Sequence, residues 1–158
     1  MSNANCVEHS SILNEVSMKF KAHGLWRVYM ESPTIYIALK GAFNREGVID
    51  FESDMLKRVV AQPAQYDSAV LDLTEFEMST PDSLEATREY FEGVKQRNYA
   101  WVDYIGVNSI AEKLLKQMWQ GAKTEICFFP NETMYFAAKP KQKKPLLELS
   151  QISFEHPH

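Results

Sequence analysis

The chain has 158 residues, 45% hydrophobic and 12% aromatic, enough for one folded domain with its own core and against a disordered chain. Its 17 basic and 21 acidic residues give a net charge of −4, which excludes a dedicated nucleic-acid binder. No apolar run approaches the ~18 residues of a membrane span, and the polar stretch Met1 to His9 is not a secretory signal, so the cytoplasm is the expected compartment.

Residues 10–16 suit one or two helical turns inside an N-terminal arm, 1–18. From Lys19 to Met30 apolar residues alternate, with Phe20 and Ala22 on one side and Trp26, Val28 and Met30 sharing a face. Ser32-Pro33 breaks the run. Thr34 to Lys40 alternates again, with Ile35, Ile37 and Leu39 expected inward and Tyr36, Ala38 and Lys40 outward. Two such runs around a short loop predict an antiparallel hairpin.

Asn44 has the chemistry of a helix N-cap, and Phe43 and Val48 have the spacing of a hydrophobic staple. Val48, Phe51, Met55 and Val59 then recur at helical spacing until Pro63. Ala69-Val70-Leu71-Asp72-Leu73 is a short apolar run of the kind a strand covered on both faces requires. An acidic loop through Glu75 and Glu77 is expected after it, then a helix capped by Thr80 with Pro81 at its first position.

The next strand is Trp101 to Ile105. Two strands separated by about a helix's worth of chain must lie parallel, because a hairpin cannot join them. Ser109 and Glu112 have capping-box spacing for a helix reaching Gly121. Glu125 to Phe129 is the last strand, and Glu132 to Lys139 a short helix. The domain is therefore expected over 19–139, followed by a charged linker and apolar arm over 140–158. The predicted class is α/β: a mixed sheet with an N-terminal antiparallel hairpin and right-handed β-α-β crossovers.

Leu71-Asp72-Leu73-Thr74-Glu75-Phe76, together with that element order, resembles the STAS domain (sulphate transporter and anti-sigma-factor antagonist), over roughly residues 20–138. The turn Phe128-Phe129-Pro130-Asn131-Glu132 resembles the ending of its stand-alone bacterial branch. The resemblance implies a regulatory module that binds a protein partner through the loop and helix after the apolar-Asp-apolar strand. Such antagonists carry an Asp-Ser-Ser-Gly loop whose serine is phosphorylated. Here the stretch reads Thr80-Pro81-Asp82-Ser83, with proline where that serine would stand, and leaves Ser79, Thr80 and Ser83 as shifted acceptors.

Ligands of parallel α/β sheets sit beyond the carboxyl ends of the strands. This selects Glu75, Glu77, Ser79, Thr80, Asp82 and Ser83 on one side of a mouth, and Asn108 and Ser109 on the other. Tyr90 joins them as an aromatic available to a partner. Trp26, Tyr29, Tyr36, Tyr99 and Trp101 also exceed what one small core accommodates, so some are expected at a pocket or interface. His23 reads as a turn residue, Cys127 as a small buried hydrophobe, and Lys139, Lys141, Lys143 and Lys144 as a solvated patch. No complete catalytic set, Gly-rich phosphate loop or metal-ligand spacing occurs, so neither an enzyme nor a cofactor is expected.

Two readings of function remain. One is a non-enzymatic interaction module. The other is a carrier or sensor of a small apolar or anionic ligand, which needs an enclosed pocket of roughly 300 Å3 or more. Leu146, Leu147, Leu149, Ile152 and Phe154 still require burial, which predicts a two-fold homodimer to which the tail 146–158 contributes, with a tail packed on its own domain as the competing outcome.

Overall fold

Along β1 (Leu25–Glu31), Trp26 and Val28 are buried while their neighbours are not, which is the period of a strand with one face in a core. The structure, a computed structural model, describes residues 21–62, 65–77 and 81–155. β1 pairs antiparallel with β2 (Thr34–Ala42), in a register that sets Val28 opposite Ile37. Three parallel strands follow in order: β3 (Ser68–Glu77), β4 (Trp101–Ile105) and β5 (Glu125–Phe129). β3 is central, as its apolar run requires. The expected α/β class and mixed sheet are what the structure shows.

One face of the sheet is covered by α1 (Arg45–Ala61), α2 (Pro81–Lys95) and α3 (Ser109–Met118). Asn44 caps α1 as expected: its Oδ1 accepts from Gly47 N at 2.9 Å and from His23 N at 2.8 Å, while its Nδ2 donates to Lys21 O at 2.7 Å. Phe43 and Val48, the two ends of the staple, lie buried in the same cluster. At α3 the cap is Asn108 rather than Ser109. Its Oδ1 accepts from Ala111 N at 2.8 Å, because the Asn side chain one residue earlier reaches the free N–H groups first. α2 starts at Pro81 as expected, while Ser79, Thr80, Pro63 and the 10–16 segment lie outside the described residues.

The other face departs most from the sequence expectations. Tyr36 and Ala38, expected outward, are buried at 4% and 3% exposure. They are covered by α4 (Glu132–Ala138), a 3-10 turn (Pro140–Gln142) and α5 (Lys143–Ser150). Residues 139–145, expected as a solvated linker, are thus largely helical; Pro145 is buried, and Leu146 and Leu149 pack with Tyr36, Ala38, Val70 and Ile105. The physical reason is the second sheet face: Val70 and Ile105 alternate away from the first three helices and need a cover of their own. The Tyr36 hydroxyl also donates to Gln142 Oε1.

Beyond α5 the tail closes the free edge of β1. Trp26 and Glu155 exchange backbone hydrogen bonds in an antiparallel bridge, and Arg58 pairs with the Glu155 carboxylate at 2.6 Å. The Arg27 guanidinium lies 4.4 Å over the Phe154 ring. The tail from which a dimer was expected is packed within its own protomer.

Candidate functional site

β3 runs longer than its apolar core, because β2 continues beside it. Lys40, Gly41 and Ala42 pair with Glu75, Phe76 and Glu77. The expected acidic loop is therefore the end of the strand. Phe76 turns inward against Phe43, ring centroids 6.0 Å apart, and leaves Glu75 and Glu77 exposed on either side. Asp72 fixes the strand just before this: its Oδ1 accepts from Thr74 N at 3.0 Å and Thr74 Oγ1 at 2.5 Å.

The loop after β4 is pressed against the same point. Gly106 has φ +77, and a Cβ there would lie 2.5 Å from Thr74 Oγ1 and 2.7 Å from Thr74 Cα. Only glycine fits this crossing. Two residues further, Asn108 and Ser109 open α3 in exposed positions. β4 ends at Ile105, level with Asp72, while β3 runs on to Glu77; the loop after β4 touches β3 at Thr74, and Glu75, Glu77, Asp82, Asn108 and Ser109 are all exposed.

Two selected residues lie elsewhere. Ser83 is fully buried in the first turn of α2, where its carbonyl accepts from Thr87 Oγ1 at 2.7 Å. Tyr90 lies in the interior between α1 and α2, edge-on to Phe51 and Phe91 at 5.9 and 6.0 Å. Of the other aromatics expected at a pocket or interface none is exposed, Trp26 and Tyr36 being buried and Tyr29, Tyr99 and Trp101 half-buried, but Tyr99, like Tyr90, lines an apolar cavity. Two covered sheet faces accommodate more rings than the single core assumed from sequence.

Tyr90 belongs to the lining of an apolar cavity of about 150 Å3 between the sheet and the three helices. Ile37, Leu71, Leu73, Phe91 and Trp119 form much of its wall, and its polar groups are limited to Thr87, Arg97, Tyr90, Tyr99 and Tyr104. Burial raises the Tyr90 and Tyr104 phenols well above the ordinary tyrosine value, so both stay neutral hydrogen-bonding groups. Tyr104 Oη accepts from Trp119 Nε1 at 2.8 Å. Among the described residues no carboxylate, histidine or cysteine lines the space, so the wall they form offers apolar contact and phenol hydrogen bonds.

The opposite face holds a buried polar group that sequence reasoning missed. Asp103 is 1% exposed in mid-β4, and its Oδ2 accepts from Tyr135 Oη at 2.8 Å and Lys139 Nζ at 2.5 Å. The Lys139 ammonium also lies 4.5 Å over the Trp101 ring. Burial, then the neighbouring Asp103 charge, raises the Tyr135 phenol. The available signal was a carboxylate inside the apolar run Val102-Asp103-Tyr104, a position that demands a partner. Among the described residues there is no cluster of three or more His, Cys, Asp or Glu able to hold a metal ion, and no helix is long and apolar enough to cross a membrane.

No protein-family model matches the chain, and no curated protein matches it. A match comes from solved structures: an uncharacterised protein of the DUF3478 family, with a SpoIIAA-like fold, from Shewanella loihica PV-4. It is 16% identical with a TM-score of 0.51, and the match covers 83% of this chain and 97% of that one. The fold is STAS-like. At this identity the likeness concerns architecture alone, and it agrees with the resemblance carried by Leu71 to Phe76.

Proposed function

We propose that this chain is a non-enzymatic, STAS-like interaction or regulatory module that meets a protein partner at the mouth formed by the ends of β3 and β4. The observation that carries the reading is the exposed set Glu75, Glu77 and Asp82, none in an ion pair among the described residues, together with the Thr74–Gly106 crossing that presses the loop leading to Asn108 and Ser109 against β3. Such a surface suits a partner with a basic face, since complementary charge speeds encounter and excludes wrong partners. Burial of Ser83 supports a module that works without the usual phosphoacceptor on this helix. The carrier reading is weaker, because the cavity has about 150 Å3 against the roughly 300 Å3 a typical small-molecule pocket begins at.

The test is affinity co-purification from the source cells with the wild type and with a Glu75→Lys/Glu77→Lys variant, their melting compared first. A partner bound by the wild type and lost from an equally stable variant is the expected result. A partner retained by both, or none with either, overturns the assignment of the mouth. Native mass spectrometry of the same wild-type sample reports any retained small ligand, the outcome that would instead favour a carrier.

A further inference from the structure

Six large apolar side chains are exposed among the described residues, and three of them, Ile49, Leu56 and Val60, lie on α1 at 47%, 53% and 78% exposure. With Ser53 they recur at i, i+4, i+7 and i+11, a single strip along the helix. Val48, Phe51 and Met55 hold the opposite side of α1 in the core, so the strip faces away from the domain. We propose that this strip is the contact through which two copies of the chain pair, α1 against α1, antiparallel about a two-fold axis.

The strip is complementary to itself in one register. An axis passing between Asp54 and Met55 sets Ile49 of one copy opposite Val60 of the second, and Ser53 opposite Leu56. Each bulky side chain then meets an apolar or a small one, and Ser53 gives Leu56 room as the helices close. A C2 contact requires such a self-matching patch.

Charge selects the same register. Asp50 and Lys57 are seven residues apart and so lie on the same flank of the strip, and antiparallel pairing joins like flanks. At 1.5 Å rise per residue, Asp50 of one copy and Lys57 of the other come level to within about 3 Å along the axis. Asp50 is half-buried and has no ion pair among the described residues. Lys57 is exposed and has no ion pair among them. The symmetry forms the pair twice.

The competing occupant is the segment 1–20 of the same chain, because Lys21 and His23 are tied to Asn44 at the start of α1. The second copy is favoured because the strip matches itself in both apolar register and charge. One helix face lies at the small end of specific interfaces, so the dimer is expected to be weak, forming in the micromolar range.

Sedimentation equilibrium of the full chain over about 1 to 200 μM tests this, with circular dichroism and melting confirming that each variant is folded. Expected is a reversible dimer, weakened about tenfold or more by Leu56→Lys and by Lys57→Asp, and largely recovered in Asp50→Lys/Lys57→Asp, where the pair is inverted. A monomer throughout overturns the proposal; if Leu56→Lys then lowers the melting temperature, residues 1–20 cover the strip instead. A dimer indifferent to Leu56→Lys, or a double charge swap no better than the single one, places the contact elsewhere and overturns it equally.

Discussion

Asp103 lies buried in the strand between Val102 and Tyr104, and its hydrogen bonds from Tyr135 and Lys139 are what make a carboxyl group tolerable there. Removing one member of such a pair leaves the other uncompensated. Lys139→Met should therefore cost about 3 kcal/mol, the low end for a buried pair because the Lys139 side chain is 37% exposed. Asp103→Asn should cost less, since it keeps an acceptor for Tyr135 and lets Lys139 turn to solvent. Urea melts of the two variants check the order. Asp54 shows a second residue-scale effect. Burial disfavours its charged form, yet hydrogen bonds from Arg58 Nε at 2.9 Å and Trp26 Nε1 at 2.8 Å outweigh this, and its carboxyl lies below the ordinary aspartate value. A folded value below the unfolded one stabilises fully above about pH 3.9, and the contribution is lost as pH falls through the folded value. Wild type should accordingly lose more stability between pH 6 and pH 3 than Trp26→Phe, which lacks one of the donors. Equal losses would remove Asp54 from the acid response.

At the scale of elements, the asparagine caps of α1 and α4, Asn44 and Asn131, differ in what they hold. Asn131 satisfies only Met134 N at 2.9 Å, whereas Asn44 satisfies Gly47 N and also ties the chain entering β1 through Lys21 and His23. Asn131→Ala should cost about 1 kcal/mol and Asn44→Ala about 2 kcal/mol or more, by thermal or urea melts. Asn44 was legible in sequence because capping is local, and so was the parallel pairing of β3 and β4, which follows from the length of chain between them. Asn108 was misplaced by one residue because Asn108 and Ser109 are both good caps and only the backbone geometry decides. Glu75 and Glu77 read as loop because charge usually marks one; nothing local reveals that β2 extends to pair with them. Of the mouth, the exposed carboxylates were legible from composition, but the burial of Ser83 and Tyr90 was not, since both depend on how α2 is rotated against α1 and the sheet.

For the whole molecule, the question is what the last twenty residues do. Ranked by sequence alone, Leu146, Leu149 and Phe154 were an arm in search of a surface, and a dimer was one solution. In the structure Leu146 and Leu149 are 4% and 2% exposed against their own sheet, and Glu155 closes the β1 edge. Burying two leucines contributes about 1.5–3 kcal/mol each, before counting Tyr36, Ala38 and Val70 beneath them. That sum approaches the 5–15 kcal/mol that holds an ordinary domain together. A chain ending at Lys139 should then lose its cooperative melt or aggregate, because it uncovers the part of the sheet face that Leu146 and Leu149 close, around Tyr36, Ala38 and Val70. Leu149→Ala in the full chain is the gentler test: it should cost about 2–5 kcal/mol and leave the association state untouched. If the tail instead joined two copies, Leu149→Ala would shift the monomer–dimer balance away from that of the wild type. Light scattering and melting of Leu149→Ala at two concentrations separate these outcomes. A melting temperature lowered by several degrees at both concentrations, with the wild type's monomer–dimer balance kept, is the result that a tail packed in its own protomer demands.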